Sequence, residues 1–200
     1  GLVGSAIARQ LEKQGFENLI FKSHSELDLL NQAATIDFLA KEKPEYVFLA
    51  AARVGGIAAN KNNLGKFLYE NIQIQSNVIE GSRLAKVKKL LFLGSSCIYP
   101  KHAKNPIGED QILAGPLEPT NEGYAIAKIA GIRMCQYYKK EYGCDFISAI
   151  PNNLYGINDN YSPESSHLVP ALIRKVHDAK INSRKSIDIW GSGKPRREFI

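Results

Sequence analysis

The chain has 200 residues, 44% of them hydrophobic and 23% charged, the balance of an ordinary globular protein with enough chain for one core and part of another. No apolar run approaches the ~18–20 residues of a membrane span, and the opening Gly1-Leu2-Val3-Gly4 lacks the basic stretch and apolar core of a secretory signal. The net charge of +6 is spread thinly, with Lys86, Lys88 and Lys89 the densest cluster in the first half. It reads as a solvated surface rather than a nucleic-acid footprint, and it suits small molecules that carry phosphates. Cys97, Cys135 and Cys144 include no CxxC pair, which argues against a disulfide framework or a metal site and for a reducing cytoplasm.

Taken in order, residues 3–14 read as a helix with Val3, Ile7 and Leu11 on one face and Gly15 as its stop. A short strand is expected at 19–21, a helix at 31–41 ending before Pro44, and a strand buried on both faces at 46–50. A long helix follows at 64–84. Residues 89–93 form another apolar run, leading at once into Gly94-Ser95-Ser96. A helix is expected at 121–142 and a strand at 146–150. The alternation argues for an α/β fold, a Rossmann-like doubly wound parallel sheet covered on both sides. After about Asn158 the pattern changes, with a helix at 167–179 and a short strand at 187–190. The expected organisation is therefore a dinucleotide-binding domain over 1–157 and the beginning of a smaller substrate-binding domain over 158–200. The first strand and the end of the second domain are expected to lie outside this sequence.

Ligands of such sheets bind beyond the carboxyl ends of the strands. Arg53-Val54-Gly55-Gly56, Ser95 to Tyr99 and Pro151 to Gly156 fall there. Gly1-Leu2-Val3-Gly4 matches the last two glycines of a G-x-x-G-x-x-G loop, whose backbone approaches a pyrophosphate at a helix N-terminus. Alone, it is equally a helix start with no ligand. Tyr124-Ala125-Ile126-Ala127-Lys128 puts a phenol and an ammonium on one helix face. A lysine charge beside a phenol that titrates near ~10 favours the phenolate. With Ser95, the pair can bind, protonate and orient a ketone for hydride transfer. A Y-x-x-x-K pair by itself is usually only a surface helix pair; the strand-GSS segment some thirty residues before it is what reverses that reading.

The glycine loop, the serine after a buried strand and Y-x-x-x-K resemble the extended short-chain dehydrogenase/reductases that act on nucleotide sugars. Within them, 51–57 (AARVGGI), 93–100 (LGSSCIYP), 118–122 (EPTNE), 190–193 (WGSG) and 197–199 (REF) are similar to the branch that makes GDP-L-fucose. The likeness runs along essentially the whole chain, and the Gly94–Pro100 stretch is its most specific part.

The resemblance implies an NADPH-dependent enzyme that inverts GDP-4-dehydro-6-deoxy-D-mannose at C3 and C5 and then reduces its C4 ketone. Ser95, Tyr124 and Lys128 would serve the ketone. Cys97 and His167 would be the acid/base pair of the inversions, a task suited to a thiol and an imidazole that titrate near ~8.5 and ~6.5 in free peptides. Read from the residues alone, Cys97 is equally a small buried hydrophobe and His167 a helix-start residue. The NADP site would comprise Gly1, Leu2, Val3, Gly4, Lys22, His24, Asp28, Leu29, Leu93, Gly94, Ser95, Ser96, Lys128, Pro151, Asn152, Asn153, Leu154 and His167. Lys22 and His24 stand where relatives often carry arginines for the 2′-phosphate, and a neutral histidine is the weaker partner. Lys175, Trp190 and Arg197 would bind the nucleotide sugar. Lys175 stands where relatives often have arginine, which keeps the charge but loses bidentate geometry. A homodimer is expected, with no nucleic-acid or membrane partner and no metal. The alternatives are another nucleotide-sugar 4-epimerase or 4-reductase of the same fold, or a non-catalytic dinucleotide-sensing module.

Overall fold

The computed structural model describes residues 1–194 and 196–200. Three parallel strands, β1 (Tyr46–Leu49), β2 (Lys89–Leu93) and β3 (Phe146–Ala149), lie in the order β1-β2-β3. Phe48 faces Leu91 across the first pair, and Leu91 faces Ile147 across the second. β1 is connected to β2 through the short helix α3 (Ile57–Asn62) and the long α4 (Leu64–Leu84), and β2 to β3 through α5 (Glu122–Tyr142). Helices α1 (Leu2–Lys13) and α2 (Gln32–Glu42) precede the sheet, and α6 (Leu168–Ile181) follows it. Consecutive parallel strands joined by helical crossovers make this the expected α/β, Rossmann-like arrangement.

The core lies between the sheet and the α4–α5 layer. Leu49, Leu90, Phe92 and Phe146 come from alternate strand positions and meet Val78 and Ile79 of α4 and Ala125, Ile129 and Ile132 of α5. At Gly131, one turn beyond Lys128, a Cβ would collide with the ring of Phe92, so a bare backbone is what lets α5 lie close to β2. α4 carries three buried amides, each tying a different segment down. Asn71 Nδ2 donates to Arg53 O at 3.0 Å, Gln75 Nε2 to Ala127 O at 2.6 Å, and Asn77 Nδ2 to Leu29 O at 2.8 Å. Buried amides are stable only when so paired. α2 starts on the Asn31 side chain, whose Oδ1 accepts from the Ala34 N–H.

Three expectations change. The strand at 46–50 is not buried on both faces: Tyr46 and Phe48 are 59% and 43% exposed, and only the Val47/Leu49 side meets the core. Residues 19–21 form no strand; they have no ladder partner among the described residues, and backbone without a partner is not a sheet element. For the same reason 187–190 is irregular. α3 was not expected.

Candidate active site

The loop after β2 and the first turns of α5 bring the predicted ketone-handling residues together. β2 ends at Leu93, and Gly94 follows in contact range of both β3 and α5: its N–H donates to Ala149 O at 2.8 Å, and a Cβ there would press on Ile132 and Ala149. The chain then turns through a 3₁₀ segment, Ser96–Ile98, with Ser95 as its cap: Ser95 Oγ accepts from the Cys97 N–H at 3.3 Å. Ser95 and Cys97 both lie near enough to the Tyr124 phenol to influence its titration.

Lys128 is 3% exposed. Its Nζ donates to Leu93 O at 2.8 Å and lies 4.7 Å from the centre of the Phe92 ring and 5.7 Å from that of Tyr124. Burial pulls this amine down to about 8. Burial also pushes the Tyr124 phenol up to about 12, assisted by Cys97 and opposed only by Ser95. The expectation that the lysine lowers the phenol is thus reversed. Lys128 spends its proton on a backbone carbonyl, and desolvation of a phenolate outweighs what a nearby amine returns. At neutral pH this leaves a protonated phenol beside a mostly charged lysine, the state in which Tyr124 can donate a proton.

Behind the cluster, Phe67 of α4 meets Tyr124 edge to face with ring centres 6.5 Å apart. The Arg53 guanidinium lies 5.4 Å over the other partner, Phe67, and bonds Glu70 at 2.9 Å. Asn71 holds both the N–H and the carbonyl of Arg53 at 3.0 Å. Sequence reading missed Asn71; an asparagine inside a helix, on its apolar side, was the available signal. It also gave no role to Asn121, whose Nδ2 donates to Cys97 Sγ at 3.2 Å.

His167 is exposed at the N-cap of α6 without a side-chain capping bond and makes no hydrogen bond to this cluster among the described residues. Its segment is nonetheless anchored to the loop after β1. The Gly56 N–H donates to Ser165 O at 3.0 Å, and a Cβ at Gly56 would lie 2.5 Å from Ser166 O. Only glycine permits that approach.

The residues predicted for a dinucleotide surround the N-terminal end of α1. Gly1 occupies the N-cap of α1, and a Cβ added at Gly4 would lie 3.6 Å from the Cβ of Ala50, just after β1. Leu2 packs near Gly156, and Asn158 Nδ2 donates to Ser5 Oγ at 3.0 Å, so the loop after β3 lies beside this helix end. The first-turn N–H groups of a helix beside a neighbouring loop suit a pyrophosphate. Lys22 and His24 stand at the end of 19–24, each within ion-pair reach of a carboxylate four residues on: Glu26 at 3.6 Å and Asp28 at 3.7 Å. Leu29 packs against the core. After β3, beyond Pro151 and up to Leu154, the Asn152 and Asn153 amides bond the Glu198 side chain and carbonyl, and Asn153 pairs with Phe199 in a parallel bridge. Of the predicted sugar-binding residues, Lys175 Nζ donates to Asp188 O at 2.9 Å and lies 5.1 Å from the Trp190 ring centre. Arg197 is exposed. Among the described residues, no cluster of His, Cys, Asp and Glu is arranged to hold a metal, and no helix is long and apolar enough to cross a membrane.

A parallel sheet with a glycine-opened helix at one end, and serine, tyrosine and lysine converging beyond β2, defines a nucleotide-cofactor α/β protein. Comparison with known proteins agrees: residues 1–200 match the model of the NAD dependent epimerase/dehydratase family, and the chain belongs to that family. A relative named GDP-L-fucose synthase 1, from Arabidopsis thaliana, is 58% identical over 200 residues, which are all of this chain and 62% of the relative. Among solved structures, a GDP-L-fucose synthetase from Naegleria fowleri bound to NADP aligns over the whole chain and 66% of its own length, with a TM-score of 0.89 and 30% identity. A GDP-D-glycero-L-gluco-heptose synthase from Campylobacter jejuni, solved in the presence of NADPH, aligns over the whole chain and 67% of its own length, at a TM-score of 0.91 and 41% identity. The chain spans about three fifths of the length of the curated relatives it matches.

Proposed function

We propose that this chain carries the NADP(H) site and the acid/base groups of a GDP-L-fucose synthase, which epimerises GDP-4-dehydro-6-deoxy-D-mannose at C3 and C5 and reduces it at C4. The observation that carries the reading is the thiol of Cys97 set among Ser95, Tyr124 and Asn121. A 4-reductase needs the serine, tyrosine and lysine. It has no use for a thiol in the same cluster, whereas an epimerase needs a second proton-handling group.

The free N–H groups of α1, with Gly1, Leu2, Val3 and Gly4, would hold the pyrophosphate. Lys22 and His24 would face the 2′-phosphate, Asp28 and Leu29 the adenosine, and 151–154 the nicotinamide end. The cofactor supplies a hydride for C4 when bound. Ser95 and Tyr124 donate hydrogen bonds to the C4 oxygen, which polarises the carbonyl, acidifies the hydrogens at C3 and C5, and stabilises the enolate formed when one is removed. Cys97 and His167 would take and return those protons on opposite faces of the ring. When C4 is reduced, Tyr124 gives its proton to the oxygen. Lys128, fixed by Leu93 O, keeps a positive charge beside the phenol and lessens the cost of that transfer. Lys175, Trp190 and Arg197, in residues 158–200, would grip the nucleotide sugar as the substrate-binding unit. Three unpaired cysteines support a reducing cytoplasm as the setting, and the family resemblance supports a homodimer.

The test uses the full-length enzyme and its Cys97→Ser variant, incubated with GDP-4-dehydro-6-deoxy-D-mannose and NADPH in deuterated water. Deuterium entering at both C3 and C5 in the parent, and strongly reduced in the variant, is the expected result. NADPH consumption without deuterium uptake would make the protein a simple reductase and return Cys97 to a packing role.

A further inference from the structure

The side chain at the start of α5 does something its position does not call for. Asn121 occupies the N-cap, where asparagine ordinarily accepts a hydrogen bond from a first-turn N–H. It makes no such bond. Its Nδ2 donates to Cys97 Sγ at 3.2 Å, and its Oδ1 is buried without a partner among the described residues. A side chain that forgoes its cap and leaves an acceptor unsatisfied is being kept for another contact. The turn that presents it is braced: Glu118 Oε1 accepts from the Thr120 N–H at 3.3 Å and from Thr120 Oγ1 at 3.2 Å, while Glu118 Oε2 pairs with Lys101 at 2.9 Å. The thiol is held from its own side by the Cys97 N–H donating to Ser95 Oγ.

We propose that Asn121 is a positioning residue for Cys97, its amide N–H aiming the sulfur and stabilising the thiolate. An N–H bond to an anion is charge-assisted and about twice as strong as one to a neutral acceptor, so the amide favours the deprotonated form. The other ionisable groups around the thiol leave this task open. On α5, Tyr124 is a neutral phenol at pH 7, and Lys128 is directed at Leu93 O; on the turn before α5, Glu118 is paired with Lys101. The consequence for catalysis rests on the reading of Cys97 as an epimerising group.

The experiment compares the full-length enzyme with Asn121→Asp, which keeps the shape but replaces the N–H by a carboxylate oxygen, and Asn121→Ser, which keeps capping ability but not the reach. Alkylation by iodoacetamide is followed from neutral to alkaline pH by peptide-resolved mass spectrometry, with NADPH binding as the check on folding. The expected result is Cys97 alkylation slowed roughly tenfold at neutral pH in Asn121→Asp, with its midpoint displaced upward. Asn121→Ser should show a smaller displacement in the same direction, and Cys144 alkylation should be unchanged in both. An unaltered Cys97 profile in either variant that still binds NADPH would overturn the proposal. Deuterium uptake at C3 and C5, measured alongside, separates the two readings. Slower alkylation with normal uptake leaves Asn121 as the thiol's partner and removes Cys97 from epimerisation.

Discussion

Ser95, Tyr124 and Lys128 stand where the molecule is best packed, whereas Trp190, Lys175 and Arg197 stand where it is least. Around the first group Leu90, Phe92, Ala125 and Ala127 are all but inaccessible to solvent, and Lys128 reaches a carbonyl of β2 through that packing. Trp190 is 79% exposed and has Lys175 as its cation–π partner. A proton transfer must be set to a few tenths of an ångström, so its groups belong on rigid elements. Trp190 and Arg197, proposed to bind the nucleotide sugar, are exposed instead. The same chain thus carries one set of residues packed against its core and another that lies largely at the surface.

The largest effect is expected at Tyr124. Tyr124→Phe in the full-length enzyme should lower the rate of C4 reduction by about 10²–10⁴-fold, while the melting temperature stays near the parent's. NADPH oxidation under single-turnover conditions reads the first and calorimetry the second. A mild loss of rate would show that the packed cluster is architecture rather than chemistry.

Next in size is a pH effect at Lys128. Its amine titrates at about 8 in the folded state against about 10.4 in an unfolded chain, so between these values the unfolded state holds more protons. Stability should therefore rise with pH across that window, by up to ~1.4 kcal/mol per pH unit from this group. Below about pH 8 both states are protonated and the buried charge is a constant burden. Lys128→Met should remove that component of the slope, measured by denaturant melts at a series of pH values. Equal slopes for parent and variant would mean that the amine is solvated in the folded enzyme.

The smallest effect is expected at Trp190. An exposed cation–π pair is worth about 0.5–1 kcal/mol, so Trp190→Ala should raise KM for the nucleotide sugar a few-fold with little change in melting temperature. A fall in stability comparable to that of a core substitution would place Trp190 with the packed group.

What could be read from residue order follows from the same physics. The bounds of α4 and β2 were legible because Leu64–Leu84 keeps helical spacing and Lys89–Leu93 is a compact apolar run. The Ser–Tyr–Lys cluster was legible because four residues on a helix fix a common face and the serine follows a strand end. The exposed side of β1 was hidden, since Tyr-Val-Phe-Leu is apolar at every position and shows no alternation. The shift of Tyr124 could not be foreseen because it depends on how far α5 sinks against β2, which Gly131 permits but does not announce. The Asn121–Cys97 contact joins a helix cap to a 3₁₀ turn 24 residues away, a pairing that no local period encodes.

The seam between Gly56 and Ser165–Ser166 has a consequence for how the protein's history is written. It joins two segments through a main-chain hydrogen bond and a close main-chain approach. Its hydrogen bond calls for no particular side chain at 165 or 166, while any side chain at 56 forces the segments apart. Paired substitutions therefore cannot record it. In a set of related sequences, covariation would treat the loop after β1 and the approach to α6 as independent, and the dependence between them would survive only as a glycine that does not drift.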